Sequence, residues 1–268
     1  MKRTFRNVLL SMIAVTTVTI QSCQKDEPLN LKNETSSGDV KTQGISTFYG
    51  PTVPFAGGTA RAWVQVNGNG NGDPIAVGIN LSANALENLP AENESFVLEF
   101  PKNKGGNFYK HMLVDWNPQG HLPFYGLPHF DFHFYIIPNE QRLQISGDDL
   151  AGFNNLPGTQ YIPPMYMNVP GGVPQMGAHW VDLLAPEFTG GEFTRTYIWG
   201  TFDGQVIFFE PMITTAFLLT HPNETLALRQ PQSYQVDGWY PTDYRITYST
   251  SPNQYTIALM NLVYHEGE

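Results

Sequence analysis

From Thr47 onward, apolar and polar residues alternate along much of the chain, and long segments with a helical period are nearly absent. A period of two is typical of β-strands that bury one face. In Thr59–Val66, for example, every second residue is apolar and small or β-branched. The 25 glycines and 21 prolines interrupt the alternation and favour turns between short strands. The pattern predicts an all-β fold: a single antiparallel β-barrel or β-sandwich domain with long loops and a few short helices.

Two β-hairpins are the clearest predicted elements. One joins residues 59–66 to 75–81 through an Asn/Gly loop, and the other joins 194–202 to 205–212 through Asp203-Gly204, a pair favoured in tight hairpin turns. Further strands are predicted at 95–100, 108–116, 244–249 and 255–264. Short helices are predicted at 82–89, at 138–146 and within 213–229, and a long loop at 147–172.

The stretch His121–Tyr135 (HLPFYGLPHFDFHFY) combines three of the seven histidines with aromatic residues and prolines. Along its last part, His129, Asp131 and His133 share one face of an extended strand, while phenylalanines occupy the other face. A strand face that carries imidazoles and a carboxylate is suited to the wall of a metal site or an acid–base site.

Six residues are the predicted ligands of one divalent transition metal (zinc, iron, manganese or copper): His121, His129, Asp131, His133, His179 and Glu210. Imidazole and carboxylate groups are common ligands of these metals. Glu210 lies in an otherwise apolar run, where a carboxylate costs several kcal/mol unless it is paired or binds a metal. The simpler alternative is that these polar groups are buried and satisfy backbone groups.

Spacing limits how the ligands of this strand can be used. His129 and His133 are four residues apart, which is ~13 Å along a straight strand at ~3.3 Å per residue. One metal ion cannot bind both, so either the site uses one neighbouring pair from the strand or His129 belongs to the incoming loop. A helical zinc-protease motif is excluded, because Phe130 stands where that motif needs glutamate.

Residues 1–22 are predicted to be a lipoprotein signal peptide. Lys2, Arg3 and Arg6 precede the apolar run Val8–Ile20, which is too short for a bilayer span of ~20 residues. Cys23, the only cysteine, follows this run directly, as the lipidated cysteine of a bacterial lipobox does. The acidic stretch after it resembles the surface-sorting signal of Bacteroidota lipoproteins. The sequence therefore predicts an extracytoplasmic protein, anchored through Cys23 to the outer membrane or cell surface.

The mature chain is predicted to consist of a flexible tether (residues 23–46) and one β domain (residues 47–268). Removal of residues 1–22 leaves 11 basic against 24 acidic residues, a formal charge of −13. This charge excludes nucleic acid as a partner, because phosphates require a basic surface. The membrane is contacted through the lipid alone, and a small molecule or glycan is the remaining ligand class.

Four motifs resemble the bacterial secreted proteins grouped as domain of unknown function 5602. They are DWNPQGH (Asp115–His121), PHFDFHFY (Pro128–Tyr135), MGAHWVD (Met176–Asp182) and EPMIT (Glu210–Thr214). The resemblance covers roughly residues 50–220. It implies an all-β extracytoplasmic domain whose histidines and Glu210 act together, and it brings no established activity.

Two functions are compatible with these patterns. The first is a metal-binding lipoprotein, and the alternative is a binding module without metal that holds a protein or glycan partner. The sequence assigns no reaction, since it contains no G-x-S-x-G nucleophile motif, no phosphate-binding loop and no cysteine other than Cys23.

Overall fold

A computed structural model of the protein describes residues 44–268, apart from 69, 71, 103, 105 and 106. The predicted signal peptide, Cys23 and most of the predicted tether therefore lie outside the described residues. Thr42–Glu268 forms one compact unit. The strands of the described part are β1 Ser46–Phe55, β2 Gly58–Val66, β3 Pro74–Ser82, β4 Glu94–Glu99, β5 His111–Asn117, β6 His129–Tyr135, β7 Tyr166–Asn168, β8 Ala178–Asp182, β9 Arg195–Phe202, β10 Gln205–Thr214, β11 Asn223–Ala227, β12 Gly238–Thr250 and β13 Asn253–His265.

The strands form two open antiparallel sheets that pack as a sandwich. One sheet has six strands in the order β1-β2-β3-β13-β12-β11, and the other has seven in the order β4-β5-β6-β10-β9-β8-β7. Neither sheet closes on itself within the described residues, so of the two predicted architectures the sandwich is the one observed. The prediction of an all-β antiparallel domain is confirmed.

Both predicted hairpins are present. Strands β2 and β3 pair antiparallel, as do β9 and β10. The turn between β9 and β10 has positive φ angles at Asp203 (47°) and Gly204 (78°). Two consecutive positive φ values match the right-handed twist of the flanking strands, which is why Asp-Gly is favoured there.

Helical structure is confined to short segments in the described residues. The α-helices are α1 Asn139–Arg142, α2 Leu150–Asn154 and α3 Thr215–Leu218, and the 3-10 turns are Ala83–Leu86, Thr159–Tyr161 and Pro186–Phe188. None of the described helices has the length and apolar character of a membrane span.

Three predicted segments differ from the structure. The helix expected at 82–89 is a single 3-10 turn that ends before Pro90. The long loop expected at 147–172 contains α2, a 3-10 turn and β7. The segment 213–229 contains one helix and the edge strand β11, because residues 223–227 pair with β12 and bury every second side chain in part.

Strand β6 is central to the seven-stranded sheet and lies between β5 and β10. Phe130, Phe132 and Phe134 are fully buried in the core between the sheets. Burial of such side chains contributes ~1.5–3 kcal/mol each and fixes which face of β6 turns inward. The three polar residues of β6 consequently lie on the outer face of this sheet.

Candidate metal centre

The outer face of the seven-stranded sheet brings polar residues of three neighbouring strands side by side. Asp115 on β5 lies directly opposite Asp131 on β6. On the other side of β6, the register pairs Phe209 with Phe134 and Met212 with Asp131, which puts Glu210 across from His133. These cross-strand neighbours are close enough for direct interaction between side chains.

The six candidate residues form two groups of three. In the first, the Glu210 cluster (His133, His179 and Glu210), the donor atoms lie within 4.8 Å of one another. His133 Nε2 is 3.5 Å from Glu210 Oε1, and His179 Nε2 is 3.7 Å from Glu210 Oε2. Two imidazole nitrogens thus face one carboxylate, and the three residues come from three different strands.

The second group is the Asp131 cluster (His121, His129 and Asp131), whose donor atoms also lie within 4.8 Å of one another. His129 Nε2 is 3.1 Å from Asp131 Oδ1 and 3.2 Å from His121 Nε2. Asn117 Nδ2 donates to Asp131 Oδ2 at 2.8 Å. His129 Nδ1 lies 2.6 Å from the carbonyl oxygen of Leu127, a contact that holds the ring with Nε2 turned towards Asp131.

The structure decides between the two arrangements that the spacing left open. His129 is the first residue of β6 and not part of the incoming loop. It lies in a different cluster from His133, and the neighbour that it contacts is Asp131. Strand β6 thus contributes the pair His129 and Asp131 to one cluster and His133 alone to the other.

Burial favours the neutral form of each ionisable group in the Glu210 cluster. Burial lowers the pKa of His133 and of His179 to about 4, which favours their neutral, metal-binding form. Burial, together with the charges of Asp131 and Asp115, raises the pKa of Glu210 well above its usual range. Neither His133 Nε2 nor Glu210 Oε2 has a hydrogen-bond partner among the described residues. Buried polar atoms left in this state point to a missing ion or group.

In the Asp131 cluster, by contrast, neighbouring groups counteract the effect of burial on the pKa values of His129 and Asp131. Burial opposes protonation of His129, but Asp131 beside it and the Leu127 carbonyl raise the pKa of His129. Burial would raise the pKa of Asp131, but the contacts from His121 and His129 lower it below the usual value. Within this cluster, His129 and Asp131 therefore each favour the charged form of the other.

Asp115 was missed among the predicted site residues, although it begins the DWNPQGH motif. Its Oδ2 atom lies 3.5 Å from His133 Nδ1, while Ser95 Oγ donates to Oδ1. Neither Asp115 Oδ2 nor His133 Nδ1 has a hydrogen-bond partner among the described residues, so the contact is electrostatic. A carboxylate on this side of a histidine favours the tautomer whose other ring nitrogen can bind a metal. The sequence pattern that could have identified Asp115 is the period of two along β5, which puts Asp115 on the same face as His111.

Phe208 positions both imidazoles of the Glu210 cluster. Its ring meets those of His133 and His179 edge to face, at centroid distances of 5.0 and 5.4 Å. The ring lies over Gly200 on β9, where any Cβ atom would overlap it. Gly200 is also the cross-strand partner of His179. Because Gly200 has no side chain, there is room for the Phe208 ring that contacts His133 and His179.

Both clusters contribute to one cavity of about 720 Å³ on the outer face of the sheet. Its floor contains Asp115, Asp131, His133 and Glu210, all of which are buried. Segments 120–125 and 167–176 form much of its wall and mouth. The volume is in the usual range for small-molecule sites, about 300–1,000 Å³.

The remaining histidines lie outside these clusters. His111 is buried and stacks on Tyr135 at a centroid distance of 4.7 Å. His221 stacks on Tyr248, and His265 stacks on Tyr234. These stacking contacts give the three histidines structural roles.

Fold and site together define an all-β sandwich protein with His/Asp/Glu clusters that could hold a metal ion. A family described as TTHB210-like (hypothetical protein TTHB210) matches residues 69–116, less than half of the chain. The matched part contains Asp115 but none of the six candidate ligands. Searches of curated proteins and of solved structures found no match.

Proposed function

We propose that this protein is an extracytoplasmic lipoprotein that binds one divalent transition metal through His133, His179 and Glu210. The observation that carries the proposal is the convergence of three donor groups on the floor of a cavity, with two buried donor atoms that have no hydrogen-bond partner in the described part of the chain. Two histidines and one carboxylate are the ligand set of catalytic zinc sites and of non-haem iron sites.

The surrounding residues support this assignment. Asp115 would orient His133 from behind, as carboxylates do for metal-binding histidines. His179 comes from a third strand, so the ligands approach from different directions. Among the described residues this cluster offers three protein donors, which leaves open positions for water or a ligand. A metal bound there would act as a Lewis acid towards whatever occupies those positions.

Metal content is the direct test. The chain from Thr42 would be purified without a histidine tag, dialysed against each of zinc, iron, manganese and copper, and measured by elemental analysis. We expect close to one equivalent of one metal in the wild type. Glu210→Gln, which keeps the side-chain shape, and His179→Gln should each abolish binding. His111→Phe, which alters a buried histidine outside both clusters, should retain it.

The alternative without metal predicts a different result. A wild-type protein that retains no metal, and whose thermal stability no added metal raises, would contradict the proposal. The clusters would then be a hydrogen-bonded network in a binding module for another partner. Equal metal content in the wild type and in Glu210→Gln would place the metal elsewhere in the chain.

The anchor is supported by the sequence of the N-terminal segment: a basic start, a short apolar run and Cys23 directly after it. Growth of cells that express the full chain with a labelled fatty acid tests this part separately. The wild type should incorporate label and fractionate with membranes, and Cys23→Ala should do neither. Label in the variant would contradict lipidation at Cys23.

A further inference from the structure

We propose that the cavity above the Glu210 cluster binds a small amphiphile with an apolar body and a single carboxylate head, which occupies the open positions of the metal. This inference rests on the proposed metal site and adds the chemical class of its ligand. It follows from the distribution of polarity, exposure and charge along the cavity.

Polarity changes sharply between the floor of the cavity and its walls. The donor groups are concentrated at the floor, whereas Val181, Ile198 and Met212 line the wall beside them. These three side chains are largely buried and carry no hydrogen-bonding groups apart from the weak thioether sulfur of Met212. The lining also includes the polar side chains of Asn93, Ser95, Asn117 and His121, but apolar residues outnumber the polar ones, so most of a ligand that fills the cavity contacts apolar groups. Sugars present hydroxyl groups on all sides and would leave many of them unsatisfied there.

The mouth of the cavity is apolar and exposed. Leu122 is 85% exposed and Phe124 is 48% exposed, and both lie in the segment that begins with His121. Met167, Val169 and Val173 are also exposed and line the same cavity. Single exposed apolar residues are ordinary, but several around one opening mark a binding surface.

The charged residues that line the cavity restrict which head group the ligand can have. Three carboxyl groups line the cavity, Asp115, Asp131 and Glu210, and none of its described lining residues is Lys or Arg. A phosphate or a polyanion would thus find no cationic side chain in the described lining. With a divalent ion bound, the floor tolerates one anionic oxygen group on the metal, and without the ion it repels that group. The ligand is consequently a monoanion whose binding requires the metal.

The test uses Co²⁺ as a spectroscopic metal in the chain from Thr42. The loaded protein would be titrated with linear monocarboxylates from acetate to dodecanoate, followed by calorimetry and by the visible spectrum of the cobalt. We expect a spectral change on binding and an affinity that rises about fourfold per methylene group until the cavity is filled. Alcohols of the same chain length should bind more weakly, and the metal-free protein should not bind the acids.

Variants at the mouth separate the apolar contacts from the metal. Leu122→Ser and Phe124→Ser should bind Co²⁺ as the wild type does but lose part of the dependence on chain length. Leu150→Ser is the matched control, because Leu150 is 65% exposed and does not line the cavity. That variant should behave as the wild type.

The two proposals fail in different ways. Cobalt that binds while no carboxylate binds, or while affinity is independent of chain length, would overturn the ligand class and leave the metal site intact. A protein that binds no cobalt would overturn both proposals. Tighter binding of alkylammonium ions than of carboxylates by the cobalt-loaded protein would overturn the ligand class, since the head group would then be recognised by the floor carboxylates and not by the metal.

Discussion

Asp115 and Asp131 face each other as a cross-strand pair on β5 and β6, and both side chains are buried. Like charges in this position are destabilising unless a cation or proton compensates them. The two carboxyls are compensated differently: His129 lies 3.1 Å from Asp131, whereas Asp115 accepts a hydrogen bond from Ser95 and faces His133. Burial raises the pKa of Asp115 to about 6, and the charge of Asp131 adds to this effect. The polar face of the sheet is thus organised around carboxylates that need positive partners.

Replacement of Asp115 by Asn should weaken metal binding without abolishing it. The amide cannot support the His133 ring as a carboxylate does, and the loss of such a partner typically lowers metal affinity 10- to 100-fold. Competition with a chromophoric chelator would measure the change, with Glu94→Gln as an exposed control on β4. Unchanged affinity would remove Asp115 from the site.

Glu210→Gln should separate the stability of the fold from that of the metal complex. At a free metal concentration 100 times the dissociation constant, binding adds about 2.7 kcal/mol to the free energy of unfolding of the wild type. The variant should gain none of this. Without metal, its stability should be equal to that of the wild type or higher, because the glutamine removes a buried ionisable group. Urea denaturation with and without metal measures both quantities.

Gly200→Ala should disturb the metal site from the neighbouring strand. The added methyl group would overlap the Phe208 ring, and overpacking of this kind typically costs about 1–3 kcal/mol. Displacement of Phe208 should also shift His133 and His179 and lower metal affinity. Ala178→Gly, a change of similar size on β8, should lose some stability yet keep metal affinity closer to that of the wild type. Intact affinity in Gly200→Ala would show that Phe208 does not position the ligands.

His111 should make the metal-free protein less stable in acid. Burial, aided by the charges of Arg142 and His133, lowers the pKa of His111 to about 4, whereas an unfolded histidine titrates near 6.5. Between these values the unfolded state binds more protons, so this contribution to stability rises from pH 4 to pH 6.5 and is constant above. His111→Phe keeps the stacking on Tyr135 and removes the titration. Urea denaturation at pH 4.5 and pH 7 should show a smaller loss in the variant, and an equal loss would contradict the assignment.

Asp131→Asn should lower the pKa of His129. In the wild type the adjacent carboxylate raises that pKa against the effect of burial, and the asparagine keeps the shape without the charge. An NMR titration of the imidazole nitrogens in metal-free protein would follow the change. A His129 that titrates at the same pH in both proteins would show that Asp131 is not its charge partner.

The two faces of β6, and the chemistry that each carries, follow from the order of residues along the strand. Alternation of phenylalanine with His129, Asp131 and His133 leaves only one way to bury the aromatic rings, because the side-chain period of a strand is two. Local turn preferences likewise determined the hairpin at Asp203-Gly204. Short-range rules were sufficient wherever a residue's role depends on its immediate neighbours.

The grouping of the polar residues into two clusters depends on how the strands are arranged in the folded protein. His133, His179 and Glu210 come from three strands, and their meeting depends on strand order and register, which single-strand patterns do not specify. The same is true of Asp115, whose role follows from its place behind His133. The segment 213–229 was also decided by context, since β11 is formed through its pairing with β12. Long-range pairing is set by the packing of whole sheets, and so the division into two clusters could not be read from the chain alone.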